Sequence, residues 1–205
     1  FEYFYPAVYQ NTQNEVILTF DDGPDPIYTN RVLDILQRYH IKALFFVIGD
    51  KALAHPEIVQ RIISEGHQIG NHTQTHPIFF ALYSRKKIGI ELDEAAKVIG
   101  SFTKNNVVLF RPPIGYMNPS IASSLKKRKL RVIGWNVRSY DSFKNKEQLL
   151  SRLIRLTKSK SIVLMHDNLA HTADVLEEYI QRAQSNGIIF ANEAQLKKFI
   201  HEITD

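Results

Sequence analysis

The sequence has no cysteine, so disulfides and thiolate chemistry are excluded and any metal must be held by histidine or carboxylate. No apolar run approaches the roughly 20 residues needed to span a bilayer, so no membrane contact is expected from these residues. Charge of neither sign dominates. The 26 basic and 21 acidic residues leave a net charge of +5, which permits an anionic partner without demanding one. Low-complexity linkers and internal repeats are missing too, and 205 residues suit one well-buried domain. The first residue is Phe1 rather than methionine, which leaves open a targeting segment upstream.

What is present is an ordinary globular composition, 44% hydrophobic and 23% charged. Residues 1–14, aromatic and then polar, read as a lead-in segment, and residues 15–205 as a single domain. Short apolar runs recur at Val16–Phe20, Ala43–Ile48, His67–Gly70, Val107–Phe110, Leu130–Trp135, Ser161–Met165 and Ile188–Phe190. Helical spacing follows each of them, at Tyr28–Tyr39, Pro56–Gly66, Ser84–Gly100, Pro119–Lys127, Lys146–Thr157, Thr172–Ser185 and Glu193–Ile200. Seven runs alternating with seven helices predict an α/β fold on a parallel sheet. Periodicity does not decide between a closed barrel and an open sheet, but both place their sites at the carboxyl ends of the strands.

That rule gathers the polar residues. Asp21 and Asp22 end the first strand, where Gly23-Pro24 breaks it. An adjacent carboxylate pair is costly unless a cation or a proton separates the charges, although alone it reads more readily as an Asp-rich turn. His72 and His76 follow the third strand, four apart, and one helical turn would set both rings on a single face. Two histidines and a carboxylate leave coordination positions open for water and substrate. Arg111 to Tyr116 follow the fourth strand, Asp141 the fifth, and His166 with Asp167 the sixth.

Four stretches in this order, Thr19–Pro24 (TFDDGP), His72–His76 (HTQTH), Arg111–Tyr116 (RPPIGY) and Leu164–Asp167 (LMHD), resemble the polysaccharide deacetylase family, the NodB-homology group or carbohydrate esterase family 4. The resemblance runs from about Val16 to Ile200. It implies a distorted (β/α) barrel of seven parallel strands with outer helices. It also implies hydrolysis of N-acetyl groups on N-acetylglucosamine polymers such as peptidoglycan or chitin-like chains, at a cell-envelope or secreted location. By the same resemblance Asp22, His72 and His76 bind one divalent ion, most often zinc, with cobalt or nickel serving relatives. Asp21 is then the general base, Arg111 holds Asp21, and the Tyr116 backbone N–H helps bind the oxyanion. His166 is the general acid, oriented and charged by Asp141. Leu164, Pro113 and Tyr116 line the pocket for the acetyl group. An acetylated polysaccharide is the implied partner, with no nucleic acid, and a monomer is the expected state.

The chain departs from the family in its fourth motif, commonly Asp-x-x-Asp-Trp. Arg138 stands for the first Asp and Ser142 for the Trp, which puts the pocket wall in question. Tyr140, Phe143 or an aromatic from Pro77–Tyr83 are the residues available to fill that gap. Other features read as structural. Lys126–Lys129 is a solvated helix terminus, Asp25-Pro26 is turn chemistry, and the Asn71-His72-Thr73 sequon is chance. His40, His55, His67, His171 and His201 have no motif context. Phe79, Phe80 and Tyr83 suit a sugar-stacking platform or core packing equally. The rivals are an O-acetyl esterase on xylan or another glycan, a non-catalytic carbohydrate-binding relative, and a two-His-one-carboxylate iron oxygenase.

Overall fold

A single eight-stranded sheet runs through a computed structural model that describes residues 4–103 and 108–204. Its strands are β1 (Ala7–Val8), β2 (Ile17–Asp21), β3 (Leu44–Val47), β4 (Gln68–Asn71), β5 (Leu109–Phe110), β6 (Arg131–Ile133), β7 (Val137–Arg138) and β8 (Ile162–His166). The helices are α1 (Tyr28–Arg38), α2 (Gly49–Ala54), α3 (Pro56–Ser64), α4 (Arg85–Gly100), α5 (Pro119–Arg128), α6 (Lys146–Leu156), α7 (Ala170–Ser185) and α8 (Glu193–Thr204). Every strand pairing is parallel, in the order β1-β6-β5-β4-β3-β2-β8-β7.

That order forces the sheet to curl. Strands β6 and β7 lie six positions apart, which in a flat sheet is roughly 29 Å. The chain from Ile133 to Val137 can reach only about 14 Å. The two ends of the sheet must therefore approach each other, giving an incomplete parallel barrel with β1 and β7 as its edges.

Strand alternation sorts the side chains. Leu18, Phe20, Phe45, Val47, Val163 and Met165 pack outward with helix residues such as Leu33, Leu36 and Leu176. Ile17, Leu44, Phe46, Ile133 and Ile162 point inward and meet Ala191, Leu196 and Phe199 from the α8 region. A third cluster joins Phe110 and Val132 to Ile88 and Leu92 of α4 and Ile121 and Leu125 of α5.

The strand count differs from the expected seven for two reasons. Ile188–Phe190 forms only an isolated bridge from Phe190 to Val16, because β3 and β8 already occupy both edges of β2. The chain gains β1, where Ala7 and Val8 pair with Val132 and Ile133, and β7, which pairs with β8. The predicted strands at 107–110 and 130–135 shorten to Leu109–Phe110 and Arg131–Ile133, and Val107 lies outside the described residues. Helix α2 begins at Gly49, directly after the apolar run Ala43–Ile48.

Candidate metal and acid-base site

Asp21, Asp22, His72, Arg111 and His166 stand at or directly after the carboxyl ends of strands, and Asp141 lies three residues past β7 rather than after the expected run at 130–135. Asp21 is the last residue of β2 and His166 the last of β8, and the two are register partners on neighbouring strands. Past β2, Asp22 takes a positive φ of 72° that swings its carboxylate out of strand alternation, so two adjacent aspartates face one site. Gly23 is there because of a close approach. A Cβ on it would lie 2.1 Å from Oδ2 of the buried Asp167, which is itself held by the Thr29 hydroxyl at 2.6 Å.

The histidines meet without a helical turn. Residues 72–76 form a loop in which Thr73 (φ 72°) and His76 (φ 51°) reverse the chain, and this brings the rings to 4.9 Å between centroids. Asp22 Oδ1 lies 3.4 Å from His72 Nε2 and 3.3 Å from His76 Nε2. Those separations match the edge of a tetrahedron with metal–ligand bonds of about 2.1 Å. Asp22 Oδ1 is buried with no hydrogen-bond partner. The Nδ1 of His72 faces the Arg111 carbonyl at 2.7 Å, and by donating to it leaves the Nε2 lone pair aimed at Asp22. Burial lowers the His76 pKa, which suits a neutral ligand. Burial opposes the charge on Asp22, but His72, His166 and His76 outweigh it and hold the carboxyl well below its usual range. An orphaned anionic oxygen between two imidazole nitrogens fits a divalent ion, and among the described residues this is the one such cluster found.

Sequence reasoning missed what braces this loop. Glu91 of α4 is buried and accepts hydrogen bonds from the Gln74 and Thr75 amides at 3.0 and 2.9 Å and from the Thr75 hydroxyl at 2.9 Å. From the other side, Gly49 and Asp50 of α2 donate to the Thr73 and Gln74 carbonyls, and Asp50 accepts from the Gln74 side chain at 2.7 Å. The readable signal was a glutamate on the same helix face as Ile88, Leu92 and Ala95.

Asp21 is kept separate. Its Oδ1 accepts from Arg111 Nη1 at 2.7 Å, and its Oδ2 stays 3.9 Å from His72 Nε2. Arg111 is fully buried and bonded to Thr19 Oγ1 and to the Ile133 and Gly134 carbonyls, so its position is fixed on several sides. Across the site, His166 Nδ1 lies 2.7 Å from Asp141 Oδ1, while Asp141 Oδ2 accepts from the His166 amide and the Thr172 hydroxyl, each at 2.7 Å. Burial disfavours the imidazolium, but Asp141, Asp21 and Asp22 outweigh it and push the His166 pKa up to about 9. The arrangement offers a carboxylate base, a charged histidine and a metal cluster on one face.

The remaining residues fall less simply. Leu164 and Pro113 are buried, while Tyr116 is exposed. The Tyr116 N–H donates to Pro113 O at 3.2 Å, so the expected oxyanion donor already has a partner, and the turn must open to free it. Phe80 is core, whereas Ile78 and Phe79 after β4, Leu82 at the end of a 3-10 turn (Phe80–Leu82) and Phe143 after β7 stand exposed. Asp25 serves turn chemistry, accepting from the Ile27 and Tyr28 amides. His67 is structural: its Nδ1 accepts from the Ala43 amide, and burial lowers its pKa to about 3.

Known proteins resemble this chain in sequence and in fold. The polysaccharide deacetylase profile matches residues 9–133. A peptidoglycan-N-acetylglucosamine deacetylase of Bacillus cereus is 31% identical over 198 residues, covering 93% of this chain and 92% of its own. A peptidoglycan-N-acetylmuramic acid deacetylase of Bacillus subtilis is 32% identical over 91% of this chain, which spans only 39% of that longer protein. Among solved structures, a family 4 pseudoenzyme from Bacillus anthracis superposes with a TM-score of 0.84 at 26% identity, covering 98% of this chain and 69% of that one. With the motifs, the curled parallel barrel and these relatives in agreement, the chain belongs to the polysaccharide deacetylase family, carbohydrate esterase family 4.

Proposed function

We propose that the protein hydrolyses N-acetyl groups of N-acetylglucosamine-type polymers, peptidoglycan or chitin-like, with one zinc ion held by Asp22, His72 and His76. The observation that carries this reading is the coexistence of three separate units. Asp22 Oδ1 is buried and unpartnered between two imidazole nitrogens, Asp21 is clamped by Arg111, and His166 is clamped by Asp141.

A divalent ion at that cluster would supply Lewis acidity, acidifying water and polarising the acetyl carbonyl. Asp21, kept off the cluster by Arg111, takes the proton from the attacking water. His166, held charged by Asp141, gives a proton to the leaving amine, which departs poorly without one. Leu164 and Pro113 line the acetyl pocket, and exposed Phe79, Tyr116 and Phe143 offer faces on which sugar rings can stack. The names of the relatives support an envelope glycan as substrate and a cell-envelope location. No helix among the described residues is long and apolar enough to cross a membrane. A monomer suffices, since one chain carries every group.

The test is acetate release from N-acetylglucosamine oligomers. Activity should vanish with chelator and return with zinc; activity indifferent to chelation overturns the metal assignment. Asp21→Asn should keep the metal and lose about 10²–10⁴ in kcat, and retained turnover removes Asp21 as the base. His166→Ala should harm amide substrates more than activated aryl acetates. Equal losses would favour the O-acetyl esterase reading or a different acid. The likeness to a pseudoenzyme keeps non-catalytic glycan binding as the alternative, against which both clamped pairs count.

A further inference from the structure

Buried or half-buried arginines in this chain come in two kinds. Arg61, Arg111 and Arg128 each lie against a carboxylate. Arg138 and Arg152 are half-buried as well, yet among the described residues neither guanidinium has an acidic partner. Both are gathered on one aromatic ring: their guanidinium carbons lie 4.9 and 4.7 Å from the centroid of Tyr140. Arg152 Nε donates to the Arg138 carbonyl at 2.7 Å, so the second arginine is tied to the strand that carries the first. Two like charges held together without a counter-ion raise the same question as two adjacent carboxylates, with the sign reversed.

Strand register says where Arg138 faces. Val137 packs outward with Leu149 and Leu153 of α6, so the next residue, Arg138, turns to the inner side of the barrel. Its register partner is Leu164, whose own partner across β8 is Thr19. Two residues further along the same strands come His166 and Asp21. Arg138 therefore stands beside Leu164, one side-chain layer from the acid and the base. Trp135 links the two regions, with the guanidinium carbons of Arg111 and Arg138 at 5.4 and 5.8 Å from its ring. Strand β7 is an edge of the sheet, so no further strand covers this side.

We propose that Arg138 and Arg152, braced on Tyr140, form a carboxylate-binding subsite beside the acetyl pocket, so that the protein prefers glycans carrying carboxylates next to the acetylated sugar over neutral chitin-like chains. Guanidinium groups suit planar carboxylates because they can donate two parallel hydrogen bonds. The Tyr140 ring pre-orders both side chains, which lowers the entropy lost on binding. This inference rests on the proposed glycan substrate and names its charge.

The experiment compares one oligosaccharide in two forms. A tetrasaccharide of alternating N-acetylglucosamine and N-acetylmuramic acid is used with its lactyl carboxylates free or converted to amides. A third sample carries peptide stems, to separate a lactyl carboxylate from a stem carboxylate. Binding is measured by calorimetry on the zinc-loaded full chain, and acetate release is followed in parallel. The wild type should bind a carboxylate form about tenfold more tightly than the amide, as expected for a partly exposed charge-assisted pair. Raised salt should narrow the gap. Arg138→Gln and Arg152→Gln should each reduce that ratio, through Kd and KM rather than kcat, and Arg138→Asp should reduce it most. Equal binding of all forms by the wild type overturns the proposal. So do variants that weaken all forms equally, because that is the mark of a purely structural stack. Absence of acetate release from every form would instead overturn the deacetylase reading, with the binding ratio still deciding the subsite.

Discussion

At His166, burial and hydrogen bonding pull in opposite directions. Burial alone would lower its pKa, yet the bond to Asp141 and the nearby Asp21 and Asp22 carboxylates push it up to about 9. In the proposed role of proton donor it must be charged, so kcat/KM on amide substrates should fall as pH rises through that value. A cation beside Asp22 offsets part of the carboxylate field, and the limb of the loaded enzyme lies somewhat lower. Asp141→Asn removes the main support and should move the alkaline limb down by about one unit or more. An unmoved limb in a pH–rate profile assigns it to another group. Stability follows the same sign. The folded protein holds this proton more tightly than the unfolded chain does, so the contribution is complete below 6.5 and lost as pH rises through about 9. The Tm of chelator-treated protein should fall across that window, and the slope should shrink in Asp141→Asn.

Between the two histidines of the cluster, residues 73–75 are held from two helices. Glu91 of α4 satisfies two successive amides and a hydroxyl from one side, and α2 supplies Gly49 and Asp50 on the other. Glu91→Gln keeps the size of the side chain but removes its charge: one oxygen can still accept from both amides, while the NH₂ faces the Thr75 hydroxyl, which must turn from donor to acceptor. It should weaken zinc binding about 10–100-fold, as loss of an outer-shell partner does. It should also cost about 1–2 kcal/mol of stability, because charge-assisted hydrogen bonds to the buried carboxylate become neutral ones. Competition with a chelating dye checks the first and urea unfolding the second. Zinc affinity unchanged despite lost stability would make Glu91 a structural residue only. Elements of this size also mark where sequence reading stopped. Helix α4 was legible from Ile88, Leu92, Ala95 and Ile99, and Glu91 stood out on that stripe only once its face was known to be buried. Helix α2 has six residues and β1 and β7 have two each, too few to show a period.

The whole molecule explains why the site residues were easier to find than their geometry. The rule that sites lie at strand carboxyl ends needs only the order of elements, so Asp21, Asp22, His72, Arg111 and His166 could be placed from sequence, whereas Asp141, expected after the run at 130–135, follows the two-residue β7 instead. The curl of the sheet depends on which strands pair, and the short Ile133–Val137 connection constrains the sheet only after its order is known. The metal cluster inherits that dependence. Asp22 follows β2 and both histidines follow β4, two strands separated by β3, and fifty residues of chain divide Asp22 from His72. The unfolded chain has no preformed cluster, so a bound ion favours the folded state by mass action. At a free zinc concentration about 1,000 times Kd the gain is about 4 kcal/mol. For a domain of this size that corresponds to a rise in Tm of roughly 8–16 °C. Asp22→Asn should abolish most of the rise, whereas Asp21→Asn, altered beside the cluster but outside it, should retain it. If Asp21→Asn loses the shift and Asp22→Asn keeps it, the roles of ligand and base are exchanged. A wild type without any shift would mean that the cluster does not hold zinc.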